Sequence, residues 1–96
     1  MPKLKHDSAK LVAFVRSQMK GKKLTELTSV FQMLSDLIRL RMLDLLLTQG
    51  KQSVNEICEK LNLRQPTVSH HLGLLRLHGL VENDKTGRNV YYSVAR

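Results

Sequence analysis

Between Ser53 and Gly79 two helical patterns stand only three residues apart. The first opens on Ser53-Val54-Asn55-Glu56, a capping box in which the serine oxygen accepts from the amide three residues on and the glutamate returns the bond. Val54, Ile57, Cys58 and Leu61 then follow at i, i+3, i+4 and i+7, one apolar face of a short helix. Asn62-Leu63-Arg64 breaks the pattern. Pro66 restarts it in a first turn, where its missing N–H costs nothing, and Gly79 can stop it. Helices joined by so short a connection are predicted to form a helix-turn-helix, although this turn lacks the glycine often found there.

The flanks complete an architecture. Upstream, Asp7 or Ser8 can cap a helix to about Met19, with Leu11, Val12, Val15 and Met19 on one face and Phe14 off that stripe. A second helix starts near Thr25 and carries Leu27, Val30, Phe31 and Leu34. Ser35 is predicted to cap a third, with Asp36 in its first turn. That third helix is apolar nearly all round, from Leu37 to Leu47, as a centrally packed helix should be. Downstream, Leu80–Asn83 and Asn89–Val94 read as two strands around a turn, Asp84-Lys85-Thr86-Gly87-Arg88. The expected fold is mainly α with a small β-hairpin wing, a winged helix-turn-helix. Residues 1–23 form a basic arm and helix, and residues 24–96 the winged domain.

Charge narrows the partner. The chain of 96 residues carries a net +8, and residues 1–23 hold seven basic residues against Asp7 alone, a net +6. Such an excess favours a polyanion, nucleic acid first and an anionic membrane surface second. A solvated, solubilising arm is the plainer reading of the same run. The few aromatics, Phe14, Phe31, Tyr91 and Tyr92, argue against single-strand binding, which stacks bases on aromatic platforms. One cysteine excludes a disulfide within the chain and any multi-thiolate site in one subunit, and it points to the reducing cytoplasm. The charged start does not resemble a secretory signal.

On the second helix of the motif, Val68, Leu72 and Leu75 define the inner face. Gln65, Thr67, Ser69 and His70 are expected to be exposed near its N-terminal end, with side chains able to read base edges. Gly73 would let a phosphate backbone come close. Lys85 and Arg88 at the wing, and Arg64 before the helix, suit phosphate. A polar helix of a protein-interaction module is the competing reading. His71 falls at the flank, expected half-buried and hydrogen-bonded. His70 and His71 are adjacent and cannot chelate one ion together. No zincin spacing, phosphate-cradling glycine loop or nucleophile–base order is present, so no enzyme, metal site or cofactor is expected.

Residues 30–94 resemble the ArsR/SmtB-type bacterial transcriptional repressors. The likeness lies in Phe31–Asp36, Ile38–Leu43, Gln65–Leu72, Leu75-Arg76 with Gly79–Val81, and Gly87–Ser93. It implies a homodimeric winged helix-turn-helix bound to operator DNA, which in many members an effector, often a metal ion, releases. Leu37 stands where a proline or small polar residue is commoner in the family. Ser53-Val54-Asn55 stands where many members have paired cysteines, and Cys58 alone cannot close a soft-metal site. Cys58 is expected to be a buried, inert thiol. Other members bind metal on a helix after the wing, which is expected to be absent since the chain stops at Arg96. The dimer contact is therefore expected on Leu11, Val12, Val15 and Met19, unless that face folds onto its own subunit. The expected function is a sequence-specific repressor of double-stranded DNA, dimeric on an inverted repeat. An effector-responsive sensor and a protein-interaction module are the alternatives.

Overall fold

The leucine-rich stretch after Asp36 becomes the helix on which the other helices pack. The computed structural model describes residues 9–95. In chain order these form α1 (Ala9–Met19), α2 (Leu24–Leu34), α3 (Leu37–Gln49), β1 (Gln52–Ser53), α4 (Val54–Leu61), α5 (Gln65–Leu77), β2 (Val81–Thr86) and β3 (Asn89–Val94). α3 lies against α1, α2, α4, α5 and β3, and it buries Met42, Leu43, Leu45 and Leu46. Its cap is Asp36, not Ser35. The Asp36 carboxylate accepts from the Ile38 amide at 2.8 Å and the Arg39 amide at 3.4 Å. A carboxylate there satisfies orphan amides and also offsets the positive helix end. Ser35 instead closes α2, its hydroxyl donating to the Gln32 carbonyl at 2.8 Å.

α1 corrects the sequence expectation of its inner face. Leu11 and Phe14, three residues apart, are the residues it buries, and they join the core around α3. Leu11 is thus used within its own subunit, and Phe14 belongs to the core stripe from which the periodicity excludes it. Val12 is 48 % exposed, while Val15 and Met19 are half-buried. The core crosses the boundary placed between residues 23 and 24. The Asp7 or Ser8 cap lies outside the described residues.

The helix-turn-helix forms as its punctuation implies. The capping box closes, with the Ser53 amide donating to Glu56 Oε1 at 2.7 Å and the Glu56 amide donating to Ser53 Oγ at 3.1 Å. Asn62 supplies what the missing glycine would have: it adopts a left-handed conformation, φ 55°, which asparagine tolerates better than most side chains.

The wing differs in two respects. β2 runs on to Thr86, which pairs with Asn89, so the connection shrinks to Gly87-Arg88. Gly87 takes φ 63°, as the first position of a two-residue hairpin turn demands. Asp84 and Lys85 are therefore strand residues, paired with Tyr91 and Val90. The sheet also has a third strand. β1 pairs antiparallel with β3 through Gln52–Tyr92 and Ser53–Tyr91, giving the order β1-β3-β2. Two residues with no β-branched side chain give no strand signal of their own; pairing with β3 alone makes them one. Val81, Tyr92 and Val94 pack on the helical core.

Candidate nucleic-acid interface

α5 has two unlike faces. Val68, Leu72 and Leu75 are fully buried, while Ser69, His70 and Gly73 are exposed and Leu77 is 78 % exposed. Thr67 is half-buried on the side of His71. A helix whose inner stripe is so completely packed is held rigidly, so its outer side chains are presented at a defined angle.

A polar tie reinforces that seating. His71 is buried, and Arg39 Nε of α3 donates to its Nδ1 at 3.2 Å. The same guanidinium donates through Nη1 to the Met33 carbonyl at 3.0 Å. One arginine thus joins α5, the central helix and the end of α2. Burial pushes the His71 pKa below its ordinary value, and the nearby Arg39 and His70 act in the same direction against Asp36. A neutral ring accepting at Nδ1 carries its proton on Nε2.

Gln65 is exposed in the first turn of α5, four residues before Ser69 and so on the same side of the helix. It also stands three residues before Val68, at the edge where the outward side meets the inner stripe. There it opens onto a concavity of about 120 Å³ with Ser53, Val54, Asn55, Arg88, Asn89 and Val90. This brings together the start of α4, the start of α5 and the tip of the wing. Asn55 and Asn89 are polar members of the group that sequence reasoning missed. They are far apart along the chain, and the β1–β3 pairing with the packing of β3 on α4 brings the wing to the motif.

Lys85 is exposed, and along β2 it alternates onto the same side as Val81. Arg64 is exposed immediately before α5 and caps it without a side-chain bond. Neither lies in the concavity. Asp84, on the opposite side of β2, is paired with Lys51 at 2.9 Å. Of the N-terminal basic run, Lys10, Arg16, Lys20, Lys22 and Lys23 are exposed; Lys3 and Lys5 lie outside the described residues. Cys58 is half-buried rather than fully enclosed, packed on the core from α4. Among the described residues, no three His, Cys, Asp or Glu side chains group to hold a metal ion. No described helix is long and apolar enough to cross a membrane.

Comparison with known proteins agrees with this geometry. Residues 36–83 match the bacterial regulatory proteins of the arsR family. The chain is 39 % identical over 74 residues to a biofilm growth-associated repressor of Agrobacterium fabrum, covering 77 % of this chain and 62 % of that protein. It is 34 % identical over 68 residues to the transcriptional repressor SdpR of Bacillus subtilis, covering 71 % of this chain and 74 % of that one. Among solved structures it resembles the homodimeric winged helix-turn-helix DNA-binding domain of a possible ArsR-family transcriptional regulator from Mycobacterium bovis. The TM-score is 0.70 at 32 % identity, over 81 % of this chain and 77 % of that one. These relatives are regulators, not enzymes.

Proposed function

The chain belongs to the arsR family of bacterial regulatory proteins, and from that premise we propose that it is a sequence-specific repressor binding double-stranded DNA as a homodimer on an inverted-repeat operator. The observation that carries this reading is α5, packed without exposure at Val68, Leu72 and Leu75 while it turns Ser69 and His70 outward. Ser69 and His70 have the chemistry to read base edges, with Thr67 at their flank. Gln65, Arg88 and the asparagines of the concavity suit a backbone phosphate, as do Arg64 and Lys85 nearby. Gln65 is given a phosphate role because it lines the concavity with Arg88, while Ser69, one turn on, does not.

A single winged motif meets one half-site, and specificity within a genome favours two half-sites about one helical turn apart. The outer side of α1 supports self-association: Val12 is exposed, with Val15 and Met19 half-exposed beside it. Packing Val12 on its two-fold mate would remove apolar surface from water that the subunit leaves there. Such a regulator works in the cytoplasm, where its DNA is.

The test is selection of bound sequences from a random duplex pool, then affinity for a recovered duplex across a salt series. The expected result is one recurrent inverted repeat, bound by two copies. Log affinity should fall linearly with log salt, by about 0.9 per phosphate neutralised. No enrichment of any sequence, with no dependence on salt, would overturn the reading in favour of a protein-interaction module.

A further inference from the structure

Gly73 stands in the middle of the outward stripe of α5, four residues from exposed Ser69 and four from exposed Leu77. It is not among the glycines of positive φ, so its backbone asks for no glycine. No heavy atom lies within 4 Å of the place where a Cβ would stand, so no neighbour in the subunit asks for one either. In a helix interior glycine is the least favourable residue after proline. The subunit thus carries a destabilising residue that its own packing does not require, on the face turned toward the proposed partner. α5 also contains no Asp or Glu, so nothing on it repels a phosphate.

We propose that Gly73 is a positioning residue at the closest approach of α5 to the DNA backbone, setting how deeply the helix seats in the major groove. The inference rests on the DNA-binding reading above and deepens it. At 1.5 Å per residue Gly73 lies about 12 Å along the axis from Gln65. The major groove is about 12 Å wide and about 8.5 Å deep. A helix whose first turn reaches the groove floor, and which is inclined at about 45°, spends about 12 Å in rising through that depth and so meets the phosphate wall near Gly73. Ser69, about 6 Å from Gln65, stays within reach of base edges. Leu77, about 18 Å away, lies beyond the wall. A side chain at residue 73 would hold the helix off the backbone and withdraw Ser69 from the bases.

The experiment compares wild type with Gly73→Ala and Gly73→Leu. The probe is one duplex recovered with the wild-type protein from a random pool, at fixed salt, with melting followed by circular dichroism. Both variants should melt higher, by about 2–8 °C, because a better helix former replaces glycine. Both should nonetheless bind more weakly, Gly73→Ala by about tenfold and Gly73→Leu by more. Affinities within twofold of wild type would overturn the proposal while leaving DNA binding intact. A lower melting temperature for Gly73→Ala would overturn it too, by showing that the subunit needs the glycine for itself. A wild-type protein that binds no duplex would overturn this inference together with the reading beneath it.

Discussion

α1 and α5 are helices of similar length, 11 and 13 residues, with opposite characters. α5 buries three apolar side chains completely and shows solvent a polar outer face around Ser69 and His70. α1 buries only Leu11 and Phe14 and leaves Val12 half-exposed. Phe14 borders an open hollow shared with Ala13, Leu46, Leu47 and Val94, so even its inner face is less enclosed. The difference shows how a helix advertises its partner. Where the inner stripe is filled and the outer face of the first turns is polar, a polar ligand can be served; where apolar side chains remain outside, as Val12 does on α1 and Leu77 at the far end of α5, an apolar surface can be. On this molecule the first suits the proposed DNA contact and the second the proposed contact between copies.

The sharpest way to break the comparison is to truncate both inner faces. Leu72→Ala should cost about 4 kcal/mol of folding stability, because a fully enclosed site cannot collapse around the void. Phe14→Ala should cost about 3 kcal/mol or less despite the larger side chain, because its site is already open on one side. Urea denaturation measures both, and a costlier Phe14→Ala would remove the distinction between an enclosed and a thinly covered helix.

The outer faces come next. Val12→Asp should leave circular dichroism unchanged and raise the dimer dissociation constant by at least about 100-fold, near 2.7 kcal/mol, since each copy would then bring a carboxylate to the contact. Sedimentation velocity decides it, and an undisturbed dimer would place the interface elsewhere. On α5, Ser69→Ala should lower discrimination between a selected duplex and its variants by about 1–3 kcal/mol. Arg88→Ala and Gln65→Ala should instead weaken all duplexes alike, and Arg88→Ala should flatten the salt slope by about one. A Gln65→Ala that behaved like Ser69→Ala would return Gln65 to the base-reading set.

The smallest effect concerns the tie under α5. The His71 pKa is lowered from 6.5 in the folded state, so between those values the unfolded chain binds more protons. Stability is then complete above about pH 6.5 and declines as pH falls below it, by at most about 1.4 kcal/mol per pH unit. His71→Gln, whose amide oxygen can still accept from Arg39, should lessen that decline. The Glu56 carboxyl, held low first by the Ser53 amide, contributes in the same direction at more acid pH, below 4.5. Chemical denaturation at several pH values checks both, and a stability indifferent to pH between 5 and 7 would show that His71 is not coupled to folding.

The helix-turn-helix was legible in the sequence because its signals are local. A serine cap with its glutamate, a proline in a first turn and apolar residues at helical spacing each act within a few residues, and each behaves here as that chemistry requires. The inner face of α5 was legible for the same reason: Val68, Leu72 and Leu75 share an angle that no partner needs to define. His71 at the flank followed from the same angle. Local signals also explain the errors. Ser35 and Asp36 are both competent caps, and one residue of register separates them. Asp84 and Lys85 have turn chemistry, yet the Gly87-Arg88 connection lets the ladder continue through them.

What the sequence by itself determined, then, was which segments are helical, which face of α5 is polar, and that the charge suits a polyanion. All of these depend on neighbours three or four residues away. Tertiary structure alone decided that Phe14 is core, since its burial depends on α3 and not on the stripe of its own helix. It alone made Gln52 and Ser53 a strand, because so short a segment gains its hydrogen bonds only from β3, nearly forty residues on. It alone brought Arg88 and Asn89 to Gln65. Such placements depend on loops closing over long separations, and the preferences of single residues carry no record of which distant segment will arrive.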